Sequence, residues 1–131
     1  MGIIRKLLGE LKYVFLNCVV SNLPFWSFRK FFYVLFGMRI GKGSKILMQT
    51  RIYAPEKIMI AENTWINENC YIDGRGGINI GSNVTIATYA KLVTGSHNID
   101  SNWFEYAELP IEIGNNVAIF TDCVVLGGGS G

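Results

Sequence analysis

The chain has 131 residues, enough for one domain and short for two. Half of them are apolar and 17% are charged, a balance that supports a packed core and argues against general disorder. The formal charge of +2 is too near neutrality to point to nucleic acid as a partner.

From the N-terminus, apolar residues recur at Ile4, Leu7, Leu8, Leu11, Val14, Phe15, Cys18 and Val19. Arg5, Lys6, Glu10, Lys12 and Asn17 fall largely between them. Spacing by three and four predicts an amphipathic helix. Ser21-Asn22-Leu23-Pro24 reads as the start of a second helix, which runs through Phe25–Phe36 and stops at Gly37. That helix is rich in aromatics, with Arg29 and Lys30 between them. No stretch is long and unbroken enough for a membrane span, and no secretory cleavage site or myristoylation signal is recognised.

After Gly37 the period changes to six. Ile40, Ile46, Ile52 and Ile58 are followed, after a two-residue slip, by Ile60, Ile66, Ile72 and Ile78. A further slip gives Ile80, Ile86 and Leu92, and a longer interruption leads to Ile113, Ile119 and Val125. Six residues advance an α-helix by about 240°, so no helical face can hold this ladder. A flat antiparallel sheet would show period two with hairpin turns instead. A triangular coil of three short strands satisfies the pattern, with each ladder residue pointing inward. Gly41, Gly81 and Gly114 fit corners where the backbone needs room, and Asn63, Asn83 and Asn116 tolerate left-handed corner conformations.

The expected architecture is therefore mainly β: a left-handed parallel β-helix over residues 38–131, with an inserted loop at 98–110, capped by N-terminal helices over residues 1–37. A cap over the first coil is one reading of those helices; peripheral contact with a membrane surface through the aromatic face, Arg29 and Lys30 is the other. Cys18, Cys70 and Cys123 lack metal-site spacing and are expected to be reduced cytosolic thiols, mostly buried.

The repeat breaks at length only after Leu92, in Val93-Thr94-Gly95-Ser96-His97-Asn98-Ile99-Asp100. His97, the chain's single histidine, stands where a rigid coil gives way to a protruding loop, a placement that favours function over a structural role.

This ladder, the Thr94-Gly-Ser-His97 segment, the loop and Pro110-Ile-Glu-Ile-Gly-Asn-Asn-Val117 together resemble hexapeptide-repeat O-acetyltransferases of the galactoside and maltose acetyltransferase type. The resemblance is close over about residues 60–126 and looser over Ile40–Lys57. It implies acetyl-CoA as cosubstrate, no metal, a sugar or glycan acceptor, and a homotrimer with active sites between neighbouring coils. Its catalytic histidine falls on His97 and its acceptor-contacting asparagine on Asn67, which reads equally well as a corner amide. Its acceptor-binding aspartate lies near Asp73, one or two positions out of register. The aromatic common in the family's Val-Trp-Ile-Gly step is replaced here by Val117-Ala118-Ile119-Phe120, a departure at the acyl or acceptor pocket for which Phe120 is the candidate to compensate. Ser96 and Asn98 are candidates for oxyanion contacts by adjacency to His97. The implied mechanism is direct transfer, in which a neutral His97 accepts the proton of the attacking hydroxyl.

The aromatic, basic N-terminal helices look like those of capsule and exopolysaccharide acetyltransferases, which implies a polysaccharide precursor as acceptor and a cytoplasmic site of action. The ending Leu126-Gly-Gly-Gly-Ser-Gly131 reads as a truncation or a linker-like replacement of further coils. A zinc-dependent carbonic anhydrase on the same fold would need three histidines. A non-catalytic scaffold, and N-acyl or serine O-acyl transfer, remain alternatives.

Overall fold

The computed structural model describes residues 2–97, 102–103 and 105–128. Helix α1 (Gly2–Val14) continues without a break into one wide π-type segment (Phe15–Val19) and a 3-10 turn (Val20–Asn22). Helix α2 (Trp26–Leu35) follows, ended by Gly37 at φ +105°.

Four coils come next. The first holds β1 (Arg39–Ile40), β2 (Lys45–Ile46) and β3 (Arg51–Tyr53), and the second β4 (Ile58–Ile60), β5 (Trp65–Ile66) and β6 (Tyr71–Asp73). The third holds β7 (Ile78–Ile80), β8 (Thr85–Ile86) and β9 (Lys91–Val93). A hairpin, β10 (Gly95–His97) and β11 (Tyr106–Glu108), then leaves the coil, and β12 (Ile111–Ile113), β13 (Ala118–Ile119) and β14 (Val124–Leu126) complete the fourth. Strands stack in parallel into three faces, β1-β4-β7-β12, β2-β5-β8-β13 and β3-β6-β9-β14. This is the left-handed parallel β-helix that the six-residue ladder predicted.

Register explains the ladder. Ile40, Ile60, Ile80 and Ile113 pair in one column, Ile46, Ile66, Ile86 and Ile119 in a second, and Ile52, Ile72, Leu92 and Val125 in a third. The middle members of each column are buried, while Ile40, Ile119 and Val125 at the ends of the stack are half-buried. Each fully buried isoleucine contributes roughly 1.5–3 kcal/mol of transfer free energy.

Corners obey a second rule. Gly43, Asn63, Asn83 and Asn116 all have positive φ, as do Gln49, Asn69, Tyr89 and Asp122 at the next corner. Asparagine was expected there; glutamine and tyrosine were not, and their column position imposes the conformation on them. Gly41 answers to packing instead. A Cβ on it would lie 2.5 Å from the carbonyl carbon of Ala61 in the coil stacked on it.

The sequence did not reveal that buried hydroxyls stitch the corners together. Thr64 Oγ1 donates to the Gly81 carbonyl at 2.7 Å and accepts from the Val84 amide at 3.2 Å. Thr50 does the same between the Asn67 carbonyl and the Cys70 amide.

The N-terminal segment does cap the first coil, but through residues that periodicity did not single out. The Asn17 side chain acts as a one-residue strand neighbour for β3, its Oδ1 accepting from the Ile52 amide at 2.7 Å and its Nδ2 donating to the Ile52 carbonyl at 3.0 Å. Arg29 donates from Nε and Nη2 to the Ile46 carbonyl of β2, and from Nη1 to the Leu23 carbonyl. An open sheet edge is thus closed by side chains. Arg29 is therefore buried and not on the solvent-facing aromatic surface where the sequence placed it. The cysteines also depart from expectation: only Cys70 is buried. Cys18 is exposed on the π-type segment, and Cys123, though in the Thr50–Cys70–Ala90 column, is exposed on the outermost coil.

Candidate active site

Two short strands flank the insertion, one on each side of it. Gly95, Ser96 and His97 pair antiparallel with Glu108, Ala107 and Tyr106. The Leu109 amide closes its base on the Thr94 carbonyl at 2.9 Å. Two sides of a coil corner are held together there, so the excursion starts as soon as β9 ends.

Beneath the hairpin lies a polar cluster built from β6 and the corner after it. Asp73 follows the inward Ile72 and is fully buried. Its Oδ1 accepts from the Arg75 amide at 3.1 Å and Arg75 Nε at 2.8 Å; its Oδ2 accepts from Arg75 Nη2 and the Gly95 amide, both at 2.9 Å. Burial pushes the carboxyl pKa up, but the guanidinium and the two amides outweigh it, and the net shift is downward. The Asp73 hydrogen bonds raise Arg75 further above its already basic range. Thr94 Oγ1 completes the floor, donating to the Asp73 carbonyl and accepting from the Gly76 amide, both at 2.8 Å.

Arg75 is held but not hidden, its side chain 41% exposed. Its guanidinium carbon lies 5.4 Å from the Tyr53 ring and 5.5 Å from the Tyr106 ring, within cation–π range of both. Glycine at position 95 leaves room for this placement, since a Cβ there would meet Arg75 Nη2 at 2.5 Å and displace the guanidinium. The Tyr106 ring in turn meets His97, with ring centroids 5.8 Å apart at 69°. A chain of contacts therefore runs from buried Asp73 through Arg75 and Tyr106 to the exposed imidazole.

The predicted site residues divide between two corners. His97, Ser96 and Asp73 gather at the hairpin corner. Asp73 presents no surface to a substrate, whereas Arg75 reaches solvent there, as does Glu108, which accepts a hydrogen bond from the Tyr106 hydroxyl at 3.2 Å. Ser96 is exposed, its hydroxyl 3.5 Å from the His97 carbonyl. Asn98 lies outside the described residues. Asn67 and Phe120 occupy the other end of the β3-β6-β9-β14 face, in one corner column with Ala87. The Asn67 side chain donates to the Ile86 carbonyl at 2.8 Å, as a corner amide would. Phe120 projects into solvent, 72% exposed. Within one chain these two residues do not meet the imidazole.

Arg75 and Tyr106 were missed by sequence reasoning. The available signal was the break Asp73-Gly-Arg75-Gly-Gly77, in which a charged pair two apart stands at a corner otherwise made of small residues. Among the described residues, no cluster of three or more His, Cys, Asp or Glu is placed to hold a metal ion.

No family model matches the chain. It is 32% identical over 103 residues, 79% of its own length, to the Escherichia coli (strain K12) protein described as "Putative colanic acid biosynthesis acetyltransferase WcaF", and equally to the Shigella flexneri protein of that description. The chain spans 57% of the length of these curated relatives. Its fold is similar to the crystal structure of a hexapeptide-repeat-containing acetyltransferase from Vibrio cholerae O1 biovar eltor complexed with acetyl coenzyme A. That match has a TM-score of 0.70 and 20% identity, and covers 89% of this chain and 72% of the other. The curated relatives are described as acetyltransferases and the solved structure shares the fold, both in keeping with the resemblance read from the sequence.

Proposed function

With kinship to hexapeptide-repeat acetyltransferases as the premise, we propose that this protein transfers an acetyl group from acetyl-CoA to a hydroxyl of a sugar or polysaccharide precursor. The observation that carries the reading is His97. It stands exposed where the coil is interrupted, on a paired strand and against Tyr106. The acceptor is drawn from the relatives, whose description names colanic acid biosynthesis.

In the reaction, the acceptor oxygen attacks the thioester carbon while neutral His97 takes its proton. The tetrahedral oxyanion then collapses, the C–S bond breaks, and the imidazolium returns the proton to the departing CoA sulfur. General-base help of this kind is worth roughly 10²–10⁴-fold. Arg75, fixed by Asp73 and the two tyrosines, supplies a positive charge at the same corner for an acidic group on acceptor or CoA.

The site is completed in a homotrimer. Asn67 and Phe120 stand at the far corner from His97, so a neighbouring copy is needed to bring such a corner against the imidazole. Phe120 then packs on CoA, and Ser96 and Asn98 act beside the oxyanion.

The test is acetyl transfer to oligosaccharides, followed by mass spectrometry of the product. The expected result is an O-acetylated glycan whose formation falls by about 10²–10⁴-fold in His97→Ala. Glycan acetylation at the parent rate in that variant would refute the base assignment. Preference for serine or an amine over every glycan would refute the acceptor.

A further inference from the structure

Helix α1 is amphipathic in the wrong direction for a cap. Its polar and small residues Lys6, Gly9, Glu10, Lys12 and Tyr13 line the groove against the first coil, with Val14 at the groove's edge. Tyr13 stacks on Tyr53 with ring centroids 4.2 Å apart, and Lys12 bonds Glu56 at 2.9 Å. The apolar stripe points away. Ile3, Ile4, Leu7, Leu8 and Leu11 are each more than half exposed, and the helix buries no residue at all. On α2 and its N-cap, Phe25, Phe28, Phe31 and Leu35 are likewise exposed, while Arg29 and Tyr33 face inward. Water is a poor partner for so many exposed apolar side chains on two short helices.

Charge indicates what covers it. Residues 1–39 hold six of the twelve Lys and Arg and only one acid, Glu10; the six remaining cations stand among nine acids. Arg29 is buried in the cap and Lys12 pairs with Glu56, which leaves Arg5, Lys6, Lys30 and Arg39 against Glu10 on the part of the molecule that carries the apolar faces. Arg5, Lys6 and Arg39 are exposed, and Lys30 is half-buried on α2. Among the described residues no helix is long and apolar enough to cross a membrane. An outward apolar stripe with cations beside it, on a helix not long and apolar enough to span, is the pattern of an interfacial anchor.

We propose that the α1–α2 face docks on an anionic lipid surface, with α1 lying in the plane of the headgroups and its Ile and Leu residues reaching the acyl boundary. The coil face stays clear, because α1 turns its polar side to the coil. This inference is independent of the acetyltransferase reading.

Flotation of the full chain tests it, with vesicles of phosphatidylglycerol mixed with phosphatidylcholine against vesicles of phosphatidylcholine alone. The expected result is salt-sensitive binding to the anionic vesicles only. Leu7→Glu/Leu11→Glu should weaken it by about tenfold or more, and so should Arg5→Gln/Lys6→Gln/Lys30→Gln. Both variants change surface residues, and circular dichroism and light scattering show whether coil and assembly survive. Absence of vesicle binding, or equal binding to both lipids, overturns the proposal. An oligomer of the parent that dissociates in Leu7→Glu/Leu11→Glu also overturns it, since a second copy would then cover the face.

Discussion

Replacing Asp73 with asparagine tests the architecture of the candidate site most directly. The substitution keeps shape and burial but turns one carboxylate oxygen into an N–H₂ group. Asp73 accepts four hydrogen bonds, two on each oxygen, so either orientation of the amide opposes a donor to two donors. Each oxygen serves one guanidinium nitrogen and one backbone amide. The guanidinium bond is largely recoverable, because Arg75 is 41% exposed and can turn to water. The amide bond is not recoverable: an orphaned buried N–H costs about 1–3 kcal/mol. With the charge-assisted share that remains, the loss is about 2–3 kcal/mol, or roughly a 10 °C fall in Tm for a domain of this size.

Urea melts followed by circular dichroism measure it, with the pH varied. The folded Asp73 carboxyl is held below its ordinary value, so its stabilisation is fully present above the unfolded pKa near 3.8 and is lost as pH falls through the folded pKa. The gap between parent and variant should therefore be wide at neutral pH and close in acid. An Asp73→Asn protein as stable as the parent at pH 7, or a gap that widens in acid, would refute the reasoning.

Three further outcomes follow from the same structure. The Tyr33 hydroxyl is buried with no hydrogen-bond partner among the described residues, and burial pushes its pKa up to about 12. Tyr33→Phe should therefore stabilise by about 1 kcal/mol in denaturant titration, and a loss of stability would reveal a partner for that hydroxyl. Gly41→Ala forces a Cβ against the Ala61 backbone and should destabilise by about 1–3 kcal/mol, whereas an unchanged melt would mean that the coils can part there without cost. Phe120→Ala removes a side chain 72% exposed on the outermost coil; it should leave Tm within about 1 °C while raising the KM for acetyl-CoA, and an unchanged KM removes Phe120 from the cosubstrate site.

Most of the fold was legible in the sequence because a solenoid converts tertiary order into linear periodicity. A residue six positions along lies on the next face, and one a full coil along lies directly over it, so Ile46, Ile66 and Ile86 announce their own column. His97 stands out as a candidate for the complementary reason, as an irregularity against a regular background. What periodicity cannot carry is any contact between parts with different periods. Asn17 and Arg29 look like polar residues of two helices, and only their docking on β3 and β2 shows them completing strands.

The pairing of Arg75 with Tyr106 joins residues 31 apart across the interruption itself, where no repeat exists to set the register. The sequence could also state that α1 is amphipathic, but not which side faces the coil. A helical wheel is symmetric with respect to inside and outside until something packs against it. Here the Tyr13–Tyr53 stack and the Lys12–Glu56 pair made that choice, and they turned the apolar side outward.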